Sequence, residues 1–306
     1  MNAEIAFRRW VVLALLLLSG CAGQGKPDDA VRVAETTLFG DLECFRVETP
    51  GATYLYGKRG AGFVSILDPL GYDWISYRHG GKALGEYRGL PKCGQPVKYF
   101  HAGYGFGQYR TENPFTSRVV VEEPHHVRIT SETKDGASAA DWDFFPSCAV
   151  LTLRRIAQPR YWFLYEGTPG GELDPESDMA IRPGGRRTTL TEPWQDEIPW
   201  VCFASRKSPY GLLLVSHEER VRAASYVAWP YKPEKDGGYR QMTVFGWGRP
   251  GWTDPRQHEP QLAILPASFG IAFVRATDEP ELLRAVEEAS RPNGRNGAAL
   301  SGTRKG

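Results

Sequence analysis

Charge of one sign is missing from this 306-residue chain: 37 Lys and Arg stand against 36 Asp and Glu, for a formal net charge of +1. That balance excludes a surface built to hold a polyanion by bulk electrostatics, so no nucleic-acid partner is expected. Long hydrophobic runs are absent too; the longest, Trp10–Leu18, is shorter than the roughly 20 helical residues that cross a bilayer. No segment recurs at a fixed period, which argues against a propeller. GxSxG, HExxH and phosphate-loop signatures are all lacking. His125 and His126 have no third ligand at a recognisable spacing, and neighbours on a strand face opposite ways, so neither a metal nor a cofactor is expected.

Cysteine is sparse, with five residues and no CxxC pair. Cys44, Cys93, Cys148 and Cys202 lie roughly fifty residues apart, which suits neither a zinc site nor any particular connectivity. Two disulfides, in any of three pairings, or four buried thiols are equally compatible with these positions.

What the chain does have is short β-rich runs punctuated by glycine and proline. Phe45–Thr49, Thr53–Tyr56, Phe63–Leu67 and Asp73–Tyr77 follow one another at about ten-residue spacing. After a long interruption come Arg118–Glu122, His126–Ser131, Ala140–Phe145, Ala149–Leu153 and Tyr161–Glu166, then Trp200–Ala204, Tyr210–Val215 and Phe269–Val274. The nearly continuous apolar stretch from Val150 to Tyr165 predicts a central hairpin turning at Gln158-Pro159. A single helix is expected near the end: Asp278 caps it, Pro280 sits in its first turn, and Leu282, Leu283, Val286 and Ala289 form its apolar face. The fold class is therefore all-β, a large antiparallel two-sheet sandwich with long loops and one short C-terminal helix.

The amino terminus reads as an address. Arg8 and Arg9 precede the apolar run, which ends in Leu18-Ser19-Gly20-Cys21-Ala22. This sequence resembles the lipobox of bacterial lipoproteins. The resemblance implies cleavage before Cys21, lipid on its sulfur and amine, and a membrane as partner; Ala22 after the cysteine resembles the pattern sorted to the outer membrane, facing periplasm or cell surface. The expected organisation is a signal peptide over 1–20, a lipidated tether over 21–42, one sandwich domain over 43–291 and a disordered tail over 292–306. The long β-rich body, its Trp-bearing loops, the late Tyr210–Val215 strand and the closing Phe269–Phe273 strand resemble the galactose-mutarotase-like supersandwich of carbohydrate-active proteins. No residue role is carried over from that family.

Candidate function lies in the loops. Asp73–Arg110 is a long, glycine-rich, aromatic and ionisable stretch, and loops of this length inside compact domains are usually functional when they are ordered. It offers His79, Glu86, Arg88, His101 and Tyr104 as catalytic candidates and Trp74, Tyr87 and Arg110 as substrate contacts. A lyase acting on a uronic acid needs a cation to neutralise the carboxylate and a base to take the adjacent proton, and these residue types supply both. Trp229, Trp247 and Trp252, with His258, stand among Gly and Pro and are candidate platforms for a sugar ring, whereas Trp142 and Trp162 lie on strands and are expected in the core. A hydrolase would instead need paired carboxylates, for which Asp141, Asp143 and Glu166 are available. The expectation is a membrane-anchored polysaccharide lyase or glycoside hydrolase, with a non-catalytic sugar-binding protein or a structural envelope protein as alternatives; no protein partner can be inferred.

Overall fold

The computed structural model describes residues 29–77, 88–93, 114–218, 220, 223–229, 242–249, 260–275 and 279–289. In chain order the strands are β1 (Arg32–Leu38), β2 (Leu42–Glu48), β3 (Thr53–Gly57), β4 (Gly62–Leu67), β5 (Gly89–Lys92), β6 (Phe115–Glu123), β7 (His126–Thr133), β8 (Ala139–Phe144), β9 (Cys148–Arg155), β10 (Phe163–Gly167), β11 (Met179–Arg182), β12 (Arg186–Thr189), β13 (Trp194–Glu197), β14 (Trp200–Ala204), β15 (Tyr210–Ser216), β16 (Ala223–Trp229), β17 (Met242–Trp247) and β18 (Ala267–Arg275). They form two antiparallel nine-stranded sheets. The first runs β1-β2-β3-β4-β5-β10-β17-β16-β13, the second β12-β11-β14-β15-β18-β9-β8-β7-β6. This is the large two-sheet sandwich expected from the spacing of the strands.

Period-two alternation puts the core between the sheets. On β7, Val127, Ile129 and Ser131 point inward and are buried. The inward Ser131 is satisfied by Tyr56 Oη at 2.7 Å and Ser117 Oγ at 2.6 Å. Aromatic rings join the two layers: Phe63 of β4 lies 4.5 Å from Trp142 of β8, and Phe163 of β10 stacks at 4.1 Å on Phe269 of β18. Such pairs add about 0.5–1.5 kcal/mol each beyond the area they bury. Trp142 is buried in the core, as expected; Trp162 is buried as well, but outside the core between the sheets, on the outer face of the first sheet.

The outer face of the second sheet carries an apolar patch that includes Val150, Cys202, Leu213, Val215, Ala272 and Val274. Helix α1 (Glu279–Ala289) covers it with Leu282, Ala285 and Val286. Leu283, expected on the same face, is instead 54% exposed, because the buried stripe centres one residue away, on Leu282.

Several expectations are corrected. Val150–Tyr165 is not a hairpin: β9 belongs to the second sheet and β10 to the first, so the connection crosses the sandwich. Asp73 makes only an isolated bridge to Leu67, and Trp74–Tyr77 forms no strand. The stretch from 73 to 110 is interrupted by β5, a central strand of four residues; Thr168–Pro199 contains β11, β12 and β13; and the region after Trp229 contains β17. The sheet also begins earlier than residue 43, since β1 pairs along its whole length with β2 and Val31 is buried.

No disulfide forms among Cys44, Cys93, Cys148 and Cys202, and all four are buried. Pairings place Cys148, Ala272, Leu213 and Cys202 in one row across β9, β18, β15 and β14. Three strand spacings separate those two thiols, about 14 Å, which no disulfide spans. Cys44 packs with Leu42, Leu55 and Val64 on the outer face of the first sheet, whereas Cys93 belongs to the core on the other side.

Candidate site on the outer face of the first sheet

Strand β10 is buried on both faces. Phe163 and Tyr165 enter the core, so the alternation turns Leu164 and Glu166 to the outer face, with Trp162 before them and Thr168 after them. Leu164 is register partner of Lys92 on β5; Glu166 is partner of Gly89 on one side and of Val244 on the other. This register brings Lys92 Nζ within 3.0 Å of Glu166 Oε1. The lysine is 9% exposed and the glutamate 2%. Among the described residues, Glu166 Oε2 has no hydrogen-bond partner, and neither has Thr168 Oγ1. A buried carboxylate with one oxygen held by an ammonium and the other left open is an uncommon arrangement, because an unmade bond to a buried charge is expensive.

A second cation stands near. Arg249 follows β17, and its guanidinium lies 5.1 Å above the Trp162 ring. Burial lowers its pKa to about 10, against the opposing pull of Glu166. Ser225 Oγ donates to the Arg249 carbonyl and fixes this segment against β16. The apolar floor beside Glu166 is Val227, Met242 and Val244, against which Trp229 packs half-buried.

Of the residues singled out from the sequence, Arg88 is buried and donates through Nη1 to the Ser76 carbonyl at 2.9 Å. Trp74 and Trp247 are no sugar platforms, since neither exposes a face. Trp74 is fully buried, packs edge-on against Phe273 and donates through Nε1 to Asp68 Oδ2 at 3.2 Å. Trp247 lies in the core between Phe245 and Phe269 and donates to the Ile198 carbonyl at 2.8 Å. Trp229 does lie on the outer face, in the apolar cluster just described. His79, Glu86, Tyr87, His101, Tyr104, Arg110, Trp252, His258 and Cys21 fall outside the described residues. Those numbered 79 to 110 precede or follow β5 in sequence, and Trp252 and His258 follow β17; β5 and β17 are neighbours of β10 in one sheet.

The three carboxylates considered for hydrolysis separate. Asp141 and Asp143 share one face of β8, the outer face of the second sheet, on the far side of the sandwich from Glu166. Both are engaged. Asp143 accepts from His126 Nε2 and Arg128 Nε, each at 2.6 Å, and Asp141 accepts from Thr130 at 2.8 Å and faces Arg154 at 3.0 Å. Lys92 and Arg249 were not legible as site residues. Their partner Glu166 is 74 positions away from Lys92, and β5 is too short and proline-bearing to read as a strand.

No family model and no curated protein matches the chain in sequence. Solved structures do match in shape. The protein HI1317 superposes with a TM-score of 0.51 at 12% identity, over 79% of this chain and 99% of that one. A galactose mutarotase-like protein from Clostridium acetobutylicum matches at 9% identity over 80% and 98%, with a TM-score of 0.47. A mutarotase candidate from Salmonella typhimurium matches at 11% over 86% and 99%, with a TM-score of 0.46. At these identities, the likeness to HI1317 is one of fold alone.

Proposed function

We propose that this chain is a carbohydrate-active protein of the bacterial envelope, a polysaccharide lyase whose reacting group is Glu166. The observation that carries this reading is the buried Lys92–Glu166 pair with Glu166 Oε2 left open on the outer face of a central strand. Glu166 Oε2 is an acceptor open to a substrate proton, and the Arg249 guanidinium supplies positive charge of the kind a uronate carboxylate needs as its neighbouring proton becomes acidic. Trp229 on the same face offers an indole surface for a sugar ring. Hydrolysis is the weaker branch, because Asp141 and Asp143 are tied into ion pairs on the opposite face. Non-catalytic sugar binding is weaker as well: recognition alone does not call for a buried, cation-held carboxylate, which is costly to maintain.

The anchor is Cys21 in the lipobox-like Leu18-Ser19-Gly20-Cys21 sequence, and the outer membrane is the proposed address.

The test is to incubate the full chain with a panel of uronic-acid and neutral polysaccharides, following both ultraviolet absorbance of unsaturated product and new reducing ends. Rising absorbance that Glu166→Gln abolishes supports the lyase. Reducing ends without absorbance move the chemistry to hydrolysis. Binding without either product leaves a sugar-binding protein.

A further inference from the structure

The second sheet, the one that does not carry Glu166, has a groove of about 410 Å³ at its β6 edge. Its floor is the ladder between β6 and β7, where Thr116 pairs with Glu132 and Arg118 with Thr130. Val127 and Ile129 of β7 enter the core, so the alternation turns Thr130 and Glu132, with their partners across the ladder, to the outer face. The wall is the turn after β7, residues 133–136.

That wall is built to keep its shape. Gly136 takes a positive φ of 69°, and its amide donates to the Thr133 carbonyl at 2.8 Å. Asp135 Oδ1 accepts Thr133 Oγ1 at 2.7 Å and the Ala137 amide at 3.0 Å. From β9, Arg155 Nε donates to the Gly136 carbonyl at 3.0 Å, while its Nη2 holds Glu132 Oε1. One guanidinium thus fixes both the turn and the glutamate, and a ligand has little left to order.

The groups still open form a small grid. Among the described residues, the Arg118 guanidinium, Thr116 Oγ1 and Glu132 Oε2 make no hydrogen bond or ion pair. Thr130 Oγ1 donates to Asp141 Oδ1 at 2.8 Å and keeps its lone pairs. Direct partners on a ladder stand about 5 Å apart at Cβ, and the diagonal from Arg118 to Glu132 spans about 7–8 Å.

The lining selects the ligand. Every lining residue except Gly136 is polar or charged, so binding here runs on hydrogen bonds and ion pairs, and an apolar ligand gains nothing. Free phosphate, charged all round, would meet Glu132 as well as Arg118. A free amino acid carries both its charges on one carbon and is too short for the diagonal. A uronate suits it. The carboxylate on C5 takes the two-pronged donor of Arg118, and in a 1,4-linked chain the hydroxyls left free, on C2 and C3, lie on the far side of the ring, where Glu132 Oε2 and Thr116 Oγ1 accept.

We propose that this groove is a second glycan-binding site, which takes a uronate residue of an acidic polysaccharide with Arg118 on its carboxylate and Glu132 on its hydroxyls. It goes beyond the chemistry assigned to Glu166, since it stands on the other sheet and holds the polymer without acting on it.

Hydrogen–deuterium exchange of the full chain, read by mass spectrometry, tests this with trimers of 1,4-linked galacturonate and of 1,4-linked mannuronate, each beside its methyl ester. The chain carries Glu166→Gln throughout, so that no trimer is consumed. An acid trimer is expected to slow exchange across 115–138, and its ester, which has lost the charge but kept the ring, is not. Arg118 is exposed, so Arg118→Ala keeps the fold; it is expected to raise the concentration giving half-protection about three- to tenfold. Arg118→Lys, with the charge but without the fork, falls between. If neither trimer protects 115–138, if the esters protect it equally, or if Arg118→Ala responds like its parent, the inference falls. None of those results touches the lyase reading, which the absorbance assay judges by itself.

Discussion

Lys92 Nζ lies 3.0 Å from Glu166 Oε1 across two neighbouring strands, β5 and β10, with 74 residues of chain between them. Both side chains are buried, so neither charge can be solvated by bulk water if the other is removed.

The pair therefore predicts a sign pattern in stability. Lys92→Met should destabilise the fold by about 3–5 kcal/mol, because it strands a carboxylate. The double replacement Lys92→Met/Glu166→Leu should recover much of that loss. Urea unfolding of the single and double variants at neutral pH measures the difference; equal stability of the two would show that the pair is not coupled.

Asp178 gives a pH prediction. It is fully buried, its Oδ2 accepts the Asp174 amide at 2.7 Å, and Oδ1 has no partner among the described residues. Desolvation raises its pKa to about 6. The folded protein thus holds this proton more tightly than the unfolded chain does. Its contribution to stability is complete below the ordinary carboxylate pKa and is lost as the pH rises through 6, a change on the order of 3 kcal/mol. Asp178→Asn should flatten the stability profile between pH 4 and pH 7, and be more stable than wild type above pH 6. Thermal midpoints across that range decide it.

The cysteines should behave as four protected thiols. Burial pushes Cys44 and Cys202 up to about 12 and raises Cys93 further, so thiolate is scarce at neutral pH. Iodoacetamide should leave Cys44, Cys93, Cys148 and Cys202 unmodified in native protein and alkylate all four in urea without prior reduction. Mass spectrometry reads the count; a requirement for reductant would reveal a bridge.

Asp68 fastens the turn after β4 to the far side of the sandwich. Its Oδ1 accepts the Leu70 and Tyr72 amides at 2.9 and 3.1 Å, and its Oδ2 accepts Trp74 Nε1 at 3.2 Å and Ser208 Oγ at 2.5 Å. Asp68→Ala leaves several of these donors buried and unmet, for a loss of about 2–4 kcal/mol. Ser208→Ala removes this bond and the one that Ser208 Oγ accepts from the Tyr210 amide at 3.1 Å, and should cost about 1–2 kcal/mol. Chemical denaturation separates the two.

Much of the architecture was legible because alternation is a local property. Val127 and Ile129 on β7, set between polar neighbours, show their inward face in the order of residues alone, and the spacing of Leu282 and Val286 shows the buried side of the helix. The short strands β5, β11, β12 and β13 were not legible. At four residues each they hold at most two turns of the alternation, and Gly89, Pro91 and Arg186-Arg187 carry little β-preference.

The sequence by itself determined that this is an all-β sandwich with one closing helix and no bulk charge to hold a polyanion, because these follow from composition and from periods of two and 3.6 residues. Only the tertiary structure decided which groups meet. It turned Trp74 and Trp247 into core residues, set Asp141 and Asp143 on the wrong side of the molecule for Glu166, kept the four cysteines apart, and joined Lys92 to Glu166. Each of those outcomes depends on strand order and on which of two sheets a strand enters. Strand pairing is a long-range choice, and no local run of residues records it.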